Sequence, residues 1–78
     1  MTRQESKYLK LANDLFSGHA HVGWNEHMLR LEVVPFDKMS GYFLTREGMD
    51  KYDTDEIVMT MFQYWDKLEE RREAKHRA

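Results

Sequence analysis

Between residues 2 and 17 the chain sets apolar side chains three and four positions apart. Tyr8, Leu11, Ala12 and Leu15 form one stripe, widened by Leu9 and Phe16, and that spacing predicts an amphipathic helix over 3–17. Both ends carry their own signals. Thr2 and Glu5 have capping-box spacing, in which the hydroxyl accepts from a backbone N–H near the carboxylate and the carboxylate reaches back. Gly18 offers a left-handed stop after the last turn.

The period then changes. In "HMLRLEVVP" Leu29, Leu31 and Val33 point one way while Met28, Arg30, Glu32 and Val34 point the other, as in a half-buried strand. Pro35 brings no ladder donor and ends it. "FDKMSG" reads as a turn and "YFLT" as a second strand, so 28–34 and 41–45 are predicted to form an antiparallel hairpin. Residues 22–24 are predicted to add a third, edge strand. Thr45 can cap a short helix over 46–52. Asp53 and Glu56 repeat the capping-box spacing ahead of a long helix over 54–76. On that helix Ile57, Val58, Met61, Phe62, Trp65 and Leu68 share a broad face, whereas Met59 and Tyr64 lie off it.

The elements define an α+β fold: a small antiparallel sheet flanked by an N-terminal helix and a long C-terminal helix. Leu29, Leu31 and Val33 are expected to meet the apolar stripes of the first and last helices. The 78 residues allow one domain. A domain of this size buries only ~60% of the surface its unfolded chain exposes. Such a thin core gains from a partner or from oligomerisation.

Composition narrows the setting. There is no cysteine, which excludes a disulfide scaffold and any thiolate site. The N-terminal residues hold no apolar run of signal-peptide length, and no segment approaches the ~20 apolar residues of a membrane span. A cytoplasmic, soluble protein is expected. Twelve basic and 14 acidic residues give a net charge of −2. That near balance speaks against a dedicated nucleic-acid binder and equally against an acidic DNA mimic.

Little in the sequence points to catalysis. Ser6, Ser17 and Ser40 lie outside any nucleophile-elbow context, and the four glycines are scattered rather than gathered in a phosphate loop. The chain is expected not to be an enzyme and to need no cofactor. His19, His21 and His27 raise a metal alternative, with Asp14 or Glu26 as a further ligand. Against it stands the plain reading of a polar connection between helix and sheet.

The features left over concern binding. Six methionines are many for 78 residues, and methionine recurs on adaptable binding surfaces. Met59, Tyr64, Trp24 and Tyr42 are candidates for an exposed apolar patch. After Leu68 the last helix has no large apolar residue, yet nothing breaks it. At 100° per residue Asp66, Glu69, Glu70 and Glu73 fall on one side, and Lys67, Arg71, Arg72 and Lys75 on the other. Ion pairs on such a helix give only ~0.2–0.5 kcal/mol each. A tail with two signed faces therefore suits docking to a protein surface or to a copy of itself. The expected function is a non-catalytic protein-binding module, a regulator or inhibitor that occupies a partner protein's surface, in the style of small phage- or mobile-element-encoded inhibitors. The first alternative is a dimeric nucleic-acid-binding regulator using the tail's basic face with Arg3, Lys7 and Lys10; the second is a histidine-dependent metal-binding protein. The strings "HVGW", "MLRL" and "FLT" are too short and common to carry a family resemblance.

Overall fold

A computed structural model describes residues 1–36 and 40–77, with side chains through Arg71. The element order is α1 (Arg3–Phe16), β1 (Ala20–Asn25), β2 (Arg30–Pro35), β3 (Tyr42–Thr45), α2 (Arg46–Lys51) and α3 (Thr54–Arg77). The three strands form an antiparallel sheet in the order β1-β2-β3, so β2 is central and β1 and β3 are edges. This is the α+β architecture that the two periodicities predict. The turn expected between β2 and β3 falls largely on 37–39, outside the described residues.

The local signals act where they stand. Thr2 caps α1, its hydroxyl oxygen accepting from the Glu5 N–H at 3.1 Å. Gly18 sits at φ 80°, and the His19 N–H returns to the Phe16 carbonyl at 3.0 Å, closing the helix as a left-handed stop does. The Thr45 hydroxyl accepts from the Gly48 N–H at 3.0 Å and starts α2.

β1 is longer than 22–24 and pairs along its whole length with β2, from Ala20 opposite Pro35 to Asn25 opposite Arg30. β2 correspondingly starts at Arg30 rather than at residue 28. The Asn25 side-chain oxygen accepts from the N–H groups of His27 and Met28 at 2.9 and 3.0 Å, a local turn that asparagine favours. Leu29 closes this turn at φ 51°. It is 40% exposed, so the expectation that Leu29 joins Leu31 and Val33 in the core does not hold. The turn takes it out of the alternation.

The core lies between the helices and one face of the sheet. Tyr8, Ala12 and Phe16 of α1, Leu31 and Val33 of β2, Leu44 of β3 and Met49 of α2 are buried there. From α3 the buried residues are Ile57, Met61, Tyr64 and Leu68, a single line at spacings of four and three. The sequence pattern places this seam one step too far round. Tyr64, expected off the core face, is buried, and Phe62, expected on it, is 51% exposed; Val58 and Trp65 are half-buried. A three-stranded sheet shared with α1 leaves α3 a narrow contact. Tyr64 enters it because its hydroxyl finds an acceptor, donating to the Ser40 carbonyl at 2.6 Å, as a buried tyrosine requires. Continued past Tyr42, the β2–β3 register sets Ser40 opposite Pro35. Proline has no N–H to offer that carbonyl, and Tyr64 supplies the donor instead.

Candidate protein-binding surface

The helices cover one face of the sheet. Along β1, β2 and β3 the covered face carries Ala20, Leu31, Val33 and Leu44, and alternation sends His21, Gly23, Arg30, Glu32, Val34 and Phe43 to the other. Apolar side chains stand in the open there: Val34 is 42% exposed, Phe43 46% and the following Phe36 54%. The His21 and Phe36 rings meet edge to face at 4.6 Å. The Phe43 ring bends back over Gly41, where an added methyl group would lie 3.0 Å from the ring and 2.8 Å from the Val33 carbonyl oxygen. Glycine is thus the residue that permits this close approach.

The polar groups on this face are fixed by one another. Arg30 Nε donates to a Glu32 carboxylate oxygen at 2.8 Å, and the Asn25 amide donates to the same oxygen at 3.1 Å. The Arg30 donor, then the Asn25 donor, hold the Glu32 carboxyl below its ordinary pKa. The guanidinium also lies 4.2 Å from the Phe43 ring centroid, within cation–π range. The Phe43 ring thus meets both the Arg30 guanidinium and the backbone at Gly41.

A groove of about 430 Å³ runs between the outer edge of β3 and α3. Tyr42, Leu44, Tyr52, Ile57 and Thr60 line it together with Phe43, and Glu56 is the charged member of the lining. The Tyr42 hydroxyl and Thr60 Oγ1 are 2.8 Å apart, and burial raises the Tyr42 pKa. A second groove, of about 240 Å³, lies between α1 and α3 at Leu11, Leu15, Val58 and Phe62.

The sequence-derived site residues end up in different places. Met59 is 61% exposed, and Lys67 and Arg71 are exposed on α3. Trp24 and Tyr42 are half-buried on the covered face, so neither forms an open patch, although Tyr42 reaches the β3 groove. Tyr64 belongs to the core and leaves the patch altogether. The side chains of Arg72 and Lys75 lie outside the described residues. The open-face residues Val34, Phe36 and Phe43 were missed, although the outward set of the β2 alternation already contained Val34.

The histidines part company. His19 lies edge-on to Trp65 at 4.6 Å while His21 lies against Phe36, and His27 sits in the β1–β2 turn. Among the described residues no three His, Asp or Glu side chains converge on a point that could hold a metal ion. The buried charge is elsewhere. Glu5 is 1% exposed; its carboxylate accepts from Arg46 Nε and Nη2, both at 3.0 Å, and from the Thr2 hydroxyl at 2.8 Å. The Arg46 bonds chiefly, with Thr2 adding to them, lower the Glu5 pKa against the opposing effect of burial, and Glu5 raises that of Arg46. This fork–fork pair joins α1 to α2, 41 residues apart, which spacing along the chain could not reveal. Both carboxylate oxygens accept from partners within the fold, which makes the pair a clamp between α1 and α2.

No helix among the described residues is long and apolar enough to cross a membrane. No protein-family model, curated protein or solved structure matches the chain.

Proposed function

We propose that the chain is a small non-catalytic protein-binding module, a cytoplasmic regulator or inhibitor that acts by occupying the surface of a partner protein. The observation that supports this most is the sheet face that no helix covers among the described residues, where Val34, Phe36 and Phe43 are exposed near the Arg30–Glu32 pair. Neighbouring apolar side chains at such exposure mark interaction surfaces, and aromatic residues with arginine are enriched at interface cores.

The test is capture from the native host on the immobilised full chain, run in parallel with Phe43→Asp, at low and at high salt, with nucleic acid measured in the same eluates. A defined protein that binds the parent stoichiometrically, persists at high salt and is lost with Phe43→Asp supports the proposal. Nucleic acid in place of protein, released steeply by salt as phosphate contacts are, overturns it in favour of the basic residues Arg3, Lys7, Lys10, Lys67 and Arg71.

A further inference from the structure

We propose that the open edge of β3 receives an extended, basic peptide segment of the partner as a fourth strand, with the groove against α3 taking its side chains. The inference rests on the protein-binding reading above and specifies its mode.

The backbone supplies the first argument. The Arg46 N–H donates to the Leu29 carbonyl at 3.0 Å, one step beyond the β2–β3 pair of Arg30 with Thr45. Hydrogen-bonded and non-hydrogen-bonded positions alternate along an antiparallel ladder. Leu44 and Tyr42 therefore spend their N–H and C=O on β2, and Phe43 turns both of its groups outward. No strand among the described residues pairs with that edge. An unpaired edge is a template for another strand, and strand addition to such an edge is a recurring mode of peptide recognition.

The side chains supply the second. A strand laid beside β3 alternates its residues between the two faces. Those beside Tyr42 and Leu44 enter the groove, where Leu44, Ile57 and Tyr52 offer apolar walls. The one beside Phe43 emerges on the open face, next to an exposed ring. Charge sets the chemistry at one end: Glu56 is the charged member of the groove lining, with Asp55 next to it in sequence and Asp53 three residues before it, whereas Lys51 lies over the Tyr52 ring and Arg30 over the Phe43 ring. A lysine or arginine whose aliphatic stem follows the groove wall can place its head at Glu56, whereas an acidic segment is repelled. The preferred segment thus alternates apolar or β-branched residues with at least one cation.

The test pans a display library of short random peptides against the immobilised full chain. Enriched peptides are made synthetically, and their contacts are mapped by amide chemical-shift changes. The expected result is an enriched set with alternating apolar residues and a Lys or Arg, shifts centred on residues 41–45, Tyr52 and Glu56, and roughly tenfold or greater weakening by Glu56→Lys, the equivalent of ~1.4 kcal/mol. N-methylation of the peptide amide that faces the Phe43 carbonyl should weaken binding similarly, a control that needs no change in the protein. Peptides that map to the groove at Leu11, Leu15 and Phe62, or that bind Glu56→Lys as well as the parent, overturn strand addition at β3 and leave the protein-binding reading standing. An empty selection overturns strand addition too. The broader reading then falls only if the host capture also yields no protein.

Discussion

The two faces of the sheet are built from neighbouring residues under different rules. On β3, Leu44 is buried among the helices while Phe43, one residue earlier, is 46% exposed. On β2, Val33 is fully buried and Val34 is 42% exposed. Identical or similar apolar side chains thus serve opposite ends, one holding the helices and the other facing out. Covering a face stabilises by roughly 25 cal/mol per Å² of apolar area removed from water. Leaving apolar area uncovered forgoes that gain, and a chain this small has little to forgo. The contrast between a face covered by helices and a face whose apolar residues stay exposed motivates the proposed protein-binding role.

The contrast breaks most visibly from the covered side. Phe16 is fully buried and its ring lies 5.7 Å from that of Tyr64 and 6.1 Å from that of Trp65. Phe16→Ala is expected to cost ~3–5 kcal/mol, the range for deleting a buried phenylalanine, and to leave much of the chain unfolded at room temperature by circular dichroism. Trp65→Ala should cost distinctly less, because Trp65 is only half-buried. Equal losses in urea titrations would put the α3 seam on the wrong residues.

A smaller effect separates Tyr64 from a plain apolar core residue. Tyr64→Phe keeps the ring and removes the donor to the Ser40 carbonyl. The expected loss is ~0.5–1.5 kcal/mol, the net worth of one hydrogen bond, since Ser40 is exposed and water can take the place of the lost donor, again by urea titration. An unchanged midpoint would mean that this bond does not set the position of Tyr64.

Acid should expose the Glu5–Arg46 clamp. The folded-state pKa of Glu5 is lowered, so the unfolded state binds the proton more readily. The stabilisation is fully present above the ordinary glutamate value of 4.5 and is lost as pH falls through the lower folded value. Glu32, lowered by Arg30 and Asn25, works in the same direction. Below pH 4.5 the melting temperature of Glu5→Gln should therefore decline less with acid than that of the parent. Parallel curves would show that the clamp does not carry the acid response.

The smallest effect concerns Trp24. Its Nε1–H is buried without a hydrogen-bond partner among the described residues, and an unpaired buried donor costs free energy. Trp24→Phe loses ring area but also that donor. A change within ~1 kcal/mol is expected, against the larger loss that a well-satisfied buried tryptophan would show.

These particulars also show what the sequence could carry. Caps and strict periods were legible: Thr2, Gly18 and Thr45 act as read, and the alternation through Leu31 and Val33 found the core. Leu29 was not, because its place depends on the turn that the Asn25 side chain organises. The line Ile57, Met61, Tyr64, Leu68 was hidden inside a broad apolar stripe, since choosing among Phe62, Tyr64 and Trp65 needs the Ser40 carbonyl in space. For the candidate site, the sequence separated inward from outward residues on β2 but not covered from uncovered faces. Which side the helices take is a tertiary fact.

Phe43 against Leu44 gives the most direct measurement of the central claim, that the uncovered face is kept for a partner. Parent, Phe43→Asp and Leu44→Asp are melted by circular dichroism, and each is titrated with the captured partner protein. Leu44→Asp is expected to unfold the chain, as an unpaired buried charge does, whereas Phe43→Asp should melt within a few degrees of the parent and bind at least about tenfold more weakly. A Phe43→Asp chain that unfolds, or one that stays folded and binds as tightly as the parent, would contradict that claim.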